Sequence, residues 1–221
     1  MDDADTHDNG TPLAPVTVYF PGPAPDPDAL DAKQRLAETL REFIDQIVTL
    51  DASAAGVAAI EDVARAIAGA RAAMEHLPKL EHGERWQEAR ESSLHERGPF
   101  TGVSNPIASP LHLERVGDTT TGWAVYGHAY EGDIGAMHGG AVAAAFDDLL
   151  GCAQLVAPVA GRTGTLTVRY RAVSPIGRRI DYTGGLDHVD GRKLFCRGTA
   201  RCGDTVVAEA EAIFVAPPAS D

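Results

Sequence analysis

The sequence predicts an α+β protein in which an antiparallel sheet wraps one long buried helix, with a hairpin of two further helices in front. Three observations carry this. Residues 139–156, GGAVAAAFDDLLGCAQLV, are alanine-rich and apolar nearly all the way round, which marks a helix enclosed by other structure. Two strand-like segments precede this run and four follow it, with short connections that make the sheet antiparallel. Ahead of them, residues 29–77 carry two apolar stripes at helical spacing.

Taken in order, residues 1–28 read as an acidic, proline-rich tail. They hold six Asp, no Lys or Arg, and the run PGPAPDPD, and such a composition buries too little to order itself. Only Val16, Val18, Tyr19 and Phe20 offer an anchor. Residues 29–97 read as a helical extension and a charged connector. Leu36, Leu40, Phe43, Ile44, Ile47 and Val48 make the first stripe, with Asp28 as its N-cap. Val57, Ile60, Val63, Ala64, Ile67, Met74 and Leu77 make the second, stopped by Pro78. The break near Asp51 to Ser53 turns the pair into an antiparallel hairpin, expected to lie on the following domain or to mediate association. Residues 79–98 are strongly charged and form the connector.

Residues 98–217 form the main domain. Segments 111–116 and 123–130 are strand-like. In 165–173, Leu166, Val168 and Tyr170 alternate with Thr165, Thr167, Arg169 and Arg171, the period of a half-buried strand. Segments 179–189, 193–201 and 205–215 follow. Asp190-Gly191 between two such runs is a hairpin signal, and Gly203-Asp204 marks another turn. A sheet of this kind around one helix is the architecture called the hot-dog fold.

Composition narrows the function. The net charge of −13 argues against general nucleic-acid binding, which needs clustered Lys and Arg. The charge is uneven: residues 1–99 carry 19 acids and 9 bases, whereas residues 162–201 carry 9 bases and 3 acids. That basic segment suits a small polyanionic ligand, or simply keeps strand faces soluble. No apolar run approaches the roughly 20 residues of a membrane span. The first ten residues lack the basic and apolar regions of a secretory signal. Cys152, Cys196 and Cys202 show no CxxC spacing, which fits free thiols and a cytoplasmic protein. The histidines show no metal-ligand spacing, so no metal is expected.

Two features bear on chemistry. His138-Gly139-Gly140 lies where a glycine-rich loop enters the buried helix. Unpaired N–H groups at such an end can hold a carbonyl oxygen, although glycines also serve to turn a chain. Asp147 and Asp148 sit within that helix among Ala143, Ala144, Phe146, Leu149 and Leu150. Successive helical residues point about 100° apart, so one acid faces inward unless both lie on an exposed strip. A buried carboxylate has its pKa raised toward that of a useful base.

The runs MHGGAVAAAFD, TGTLTVRY, SPIG, LDHVDGRKLF and AEAEAIFV together resemble the PaaI-type thioesterases of the hot-dog superfamily, with the thioesterase superfamily member four group the nearest likeness. The resemblance spans roughly residues 98–216. It implies hydrolysis of medium- or long-chain fatty acyl-CoA, with coenzyme A as part of the substrate and no separate cofactor. Asp147, nine residues after His138, takes the place of the catalytic carboxylate, as general base or nucleophile. Gly139 supplies the N–H that polarises the thioester carbonyl, and Thr163 helps orient the attacking water. His138 positions the loop or substrate. Gly140, Arg192 and Lys193 fall where substrate or CoA phosphates are held, Arg192 and Lys193 being equally explicable as an exposed hairpin tip. The resemblance further implies a homodimer or a dimer of dimers with sites between subunits. Asp148 leaves the register of the acid open, and the N-terminal extension has only partial parallels in the family.

Two rivals remain. A hot-dog enoyl-CoA hydratase or dehydratase would use Asp133 and His138, which have the Asp-to-His spacing of that branch, but it leaves Gly139, Gly140 and Asp147 unexplained. An acyl-CoA-binding module without turnover would keep the fold and use the helical hairpin to bind partners.

Overall fold

A computed structural model describes residues 26–79, 96, 98–109 and 111–218. The tail expected over residues 1–28 falls outside them except for its last three residues, as does nearly all of the connector.

Helix α1 (Pro27–Val48) begins two residues earlier than expected, and Asp26 rather than Asp28 is its cap: Asp28 N donates to Asp26 Oδ1 at 3.1 Å. Pro27 explains the shift, since its fixed φ suits a first helical position. Asp51 caps the short helix α2 (Ala52–Ala55), and Gly56, at φ +79°, breaks the chain before α3 (Val57–Glu75). The break between the two apolar stripes is therefore a single turn of helix followed by glycine.

The main domain holds strands β1 (His112–Val116), β2 (Thr119–Val125), β3 (Glu131–Asp133) and β4 (Ala136–Met137). Helix α4 (Gly139–Ala153) follows, then β5 (Arg162–Tyr170), β6 (Arg179–Asp190), β7 (Lys193–Cys202) and β8 (Thr205–Val215). Six strands form one sheet in the order β1-β2-β6-β7-β8-β5, every neighbour antiparallel, while β3 and β4 make a separate small ribbon. This is a hot-dog fold with an N-terminal helical extension.

The segment expected as a strand over 123–130 stops at Val125. Residues His128–Tyr130 instead form a 3-10 turn, with Tyr130 N bonded to Gly127 O at 3.1 Å. The cause lies in α1. Asp45 Oδ1 accepts the Ala129 amide at 3.1 Å, and a side chain at Gly127 would meet that oxygen at 2.6 Å. The turn delivers a backbone donor to the helix, which a continued strand would not.

The sheet receives α4 in a trough of small residues. The AEAEA pattern of β8 turns Ala208, Ala210 and Ala212 inward, all buried, and leaves Glu209 and Glu211 to pair with Arg171 and Arg169 outside. Beside Ala210, Gly198 of β7 pairs with Gly184 of β6. Leu149 and Leu150 press onto both: a Cβ at Gly198 would stand 3.0 and 3.1 Å from their methyl groups, and one at Gly184 at 3.1–3.2 Å. Val142, Ala145, Phe146, Leu149, Leu150 and Ala153 are buried along α4. Residues 139–156, α4 with the 3-10 turn Gln154–Val156 after it, reach a mean hydropathy of 1.2 and by length and composition alone could cross a membrane, but here the apolar residues of α4 belong to the core of the domain.

Gly198→Val should therefore cost about 1–3 kcal/mol through overpacking, read from urea unfolding. Thr199→Val, one residue along β7, should stay within about 0.5 kcal/mol.

Candidate active site

The site is built at the entry and middle of α4. Three backbone bonds hold the loop before the helix: Met137 N to Ser174 O at 2.8 Å, His138 N to Tyr130 O at 2.8 Å, and Ile176 N to Gly135 O at 3.2 Å. Gly132 is required by close approach, since a Cβ there would lie 2.6 Å from His138 Cα. His138 is the N-cap of α4. Its Nδ1 accepts the Gly140 amide at 3.0 Å, while its carbonyl takes the amides of Ala141 and Val142.

The first turn is thus accounted for except at Gly139, whose N–H meets no acceptor among the described residues. A helix N-terminus with one donor left open is suited to an oxygen carrying developing negative charge. Tyr170, at the end of β5, donates its hydroxyl to Gly139 O at 2.8 Å. The loop is therefore fixed from the sheet as well as from the helix. Gly140, whose amide is taken by His138, has no donor to spare.

Two turns further on, the acid pair divides. Asp147 Oδ1 accepts the hydroxyl of Thr163 at 2.9 Å. Thr163 lies near the start of β5, where the pairing with β8 shifts register between Thr163 and Thr165. Asp148 points the other way, toward the segment before β1. It accepts hydrogen bonds from the hydroxyl and amide of Thr101, and its Oδ2 is buried with no partner among the described residues. Burial first, and then the charge of Asp147, push the Asp148 carboxyl up to about 6 against the pull of Thr101. Cys152, one turn on, has its thiol raised to about 11 by burial and by Asp148.

Asp147 and Gly139 do not meet within one chain. Eight residues of helix separate them by about 12 Å along the axis, too far for both to reach one carbonyl group. Thr163 joins Asp147 at the middle of the helix, whereas His138, Gly139 and Gly140 form a separate cluster at its entry.

Arg192 and Lys193 lie at the end of the sheet that holds Thr163. Arg192 Nε donates to Ala216 O at 2.8 Å, which ties the hairpin to the end of β8. Lys193 pairs with Val215, and Val215 pairs in turn with Arg162. One row of the sheet thus sets Lys193 and Arg162 on either side of β8, two strand spacings or about 10 Å apart. Sequence pattern alone does not mark Arg162 or Tyr170 as site residues. Arg162 was visible as the neighbour of Thr163 in the basic segment. The role of Tyr170 needed knowledge of which strand runs beside the helix entry.

Asp133 is exposed and its Oδ1 accepts the next amide, that of Ile134, at 2.8 Å. No hydrogen bond joins it to His138 among the described residues, and the His138 Nδ1 is already engaged. No three of His, Cys, Asp and Glu among the described residues are grouped as a metal site.

No family model matches the sequence. Among solved structures, the thioesterase superfamily protein RHA08564 is 29% identical with a TM-score of 0.71, over 89% of this chain and 97% of its own. That span exceeds the 120 residues from 98 to 217, so the likeness reaches into the helical extension. Thioesterase superfamily member 2 from Mus musculus is 15% identical with a TM-score of 0.44, over 48% of this chain and 80% of its own. A hypothetical thioesterase from Streptococcus pneumoniae TIGR4, solved with coenzyme A, is 16% identical with a TM-score of 0.45, over 50% and 91%.

The Asp148 carboxyl has its pKa raised on folding, so its proton contributes stability that is present below about pH 4 and lost as pH rises through about 6. Wild type should accordingly lose Tm relative to Asp148→Asn between pH 4.5 and pH 8. A Tm difference that stays flat across this range would refute the assignment.

Proposed function

We propose that the chain hydrolyses acyl-CoA thioesters at a site shared by two copies, with Asp147 and Thr163 contributed by one and Gly139 by the other. The observation that carries this is the Thr163 to Asp147 hydrogen bond at 2.9 Å, set on the same helix as an unengaged Gly139 N–H. The roughly 12 Å between them along α4 is what two antiparallel helices from a pair of chains would bridge, each helix entry facing the middle of the other. The likeness to RHA08564 supports the reaction class.

The steps then follow. The thioester carbonyl rests on Gly139 N–H, and Tyr170 holds the peptide unit behind it through Gly139 O. Thr163 and Asp147 hold a water against the carbonyl carbon. Asp147 takes a proton as the water oxygen forms the new C–O bond, and the oxyanion is stabilised by the helix entry. Collapse breaks the C–S bond. CoA leaves as thiolate and recovers a proton, from Asp147 or from solvent. His138 shapes the entry by capping it, and Gly140 keeps that cap in place. Arg192, Lys193 and Arg162 supply positive charge for the CoA phosphates.

A medium- or long-chain fatty acyl group is the substrate we favour, on the resemblance to the PaaI-type enzymes and the member four group. A homodimer or dimer of dimers follows from the shared site. The three unpaired cysteines fit a reducing, cytoplasmic setting.

Thiol release from acetyl-, hexanoyl-, lauroyl-, palmitoyl- and phenylacetyl-CoA tests the proposal. Asp147→Asn should lower kcat about 10²- to 10⁴-fold with KM little changed, and Asp148→Asn should retain most of it. Acyl-CoA binding without thiol release by folded wild-type protein would reduce the reading to a binding module. Hydration of an enoyl-CoA that depends on Asp133 would replace it.

A further inference from the structure

We infer that Asp45 of α1 is a positioning residue for the candidate active site, acting through the turn His128–Tyr130 on the peptide that carries the Gly139 N–H. This role presupposes the proposed function, in which that N–H holds the thioester carbonyl. It gives the helical extension a part in the reaction without placing any group of α1 on the substrate.

A short series of hydrogen bonds makes the link. The Ala129 amide donates to Asp45 Oδ1 at 3.1 Å. Gly127 leaves room for the carboxylate, since a Cβ there would lie 2.6 Å from Oδ1 and 3.0 Å from Cγ. The turn closes where Tyr130 N donates to Gly127 O at 3.1 Å, and Tyr130 O then accepts the His138 amide at 2.8 Å. The His138 carbonyl shares one rigid peptide plane with the Gly139 N–H. On the helix side that plane is held by the amides of Ala141 and Val142, which donate to His138 O at 2.9 and 3.2 Å. On the loop side it is held through the His138 amide, and so through Tyr130.

Asp45 bears on the turn by its carboxylate and not as part of a packed face. Beside it, between α1 and the main domain, opens a cavity of about 390 Å³ lined by Ile44, Ile107, Val125 and Tyr130, among others. Other bonds fasten α1: Arg41 Nη1 donates to Val103 O at 3.0 Å and to Asn105 O at 3.1 Å, and Gln34 Nε2 donates to Glu96 Oε1 at 2.8 Å. None of these reaches the turn, and they keep the helix docked when the Asp45 carboxylate is removed. The Tyr130 ring has its own anchors, with its hydroxyl donating to Ile107 O and its face near Phe100 and Tyr126. What Asp45 adds is the setting of the backbone, and with it the direction of the Tyr130 carbonyl. Its charge also acts nearby: Glu131 first, and Asp45 to a lesser degree, raise the pKa of His128. The hydrogen bond and the charge are separable, because an Asn side chain keeps the accepting oxygen and loses the charge.

Thiol release by the full-length protein, with amide exchange measured on the same samples, tests the inference. Asp45→Ala should lower kcat about 10-fold with KM within about twofold, since misplacing a reacting group by about 1 Å can cost about 10²-fold. Asp45→Asn, which can still accept the Ala129 amide, should keep kcat within about threefold of wild type. Exchange at the His138 amide should quicken in Asp45→Ala and not in Asp45→Asn. Gln34→Ala, which loosens α1 toward its other end, should leave both readings at their wild-type values. Unchanged kcat, or unchanged exchange at His138, in Asp45→Ala protein with wild-type circular dichroism would overturn the inference. Equal losses in Asp45→Asn and Asp45→Ala would also overturn it, by assigning the effect to charge. If wild type releases no thiol, the catalytic reading fails by itself, and exchange at His138 still decides whether Asp45 holds the loop.

Discussion

The contact of Leu149 and Leu150 with the facing glycines of β6 and β7 is the constraint on which the rest of the main domain depends. Only at Gly184 and Gly198 does the sheet lack side chains over two adjacent strands at the middle of the helix, and there a methyl group would already be crowded. This fixes the depth of α4 and, because a helix is stiff, its rotation. With Leu149 and Leu150 turned into the trough, Asp147 is carried toward the start of β5 and Asp148 toward the segment before β1. One packing decision thus separates two adjacent carboxylates into different environments, one held by a strand hydroxyl and one buried with a spare oxygen.

The parts of the fold legible in the sequence were those in which local pattern and tertiary packing agree. The Ala–Glu alternation of β8 names its inner face directly, and an apolar circumference marks α4 as enclosed. The 123–130 segment failed for the opposite reason. Tyr126 and Tyr130 have the composition of a strand, but Gly127 is where α1 approaches, and a contact 82 residues away in sequence has no local signature. The shift of the α1 cap from Asp28 to Asp26 is smaller: either Asp can cap, and the proline between them decides.

The candidate site was legible to a different degree. Motif spacing could nominate His138, Gly139, Asp147 and Thr163, and the hydrogen bond between the last two is a contact the spacing could not supply. The 12 Å between Gly139 and Asp147 along the helix was implicit in the count of residues. Its meaning emerges only when no other element of the same chain closes the gap. Arg162 illustrates a further limit. Its place near Lys193 follows from β8 lying between β7 and β5, a strand order no local pattern encodes.

Tyr170 gives the edge strand a mechanical role. Its hydroxyl grips Gly139 O from the last residue of β5, while Thr163 near the first end of the same strand grips Asp147. The strand is therefore a strut between the two parts of the candidate site, and it lies at the rim of the sheet, where its outer backbone groups are open to another chain. A neighbour that straightens or twists β5 would move both grips together. Binding at the rim and the placement of Gly139 and Asp147 would then be one mechanical variable, with the strand as its lever.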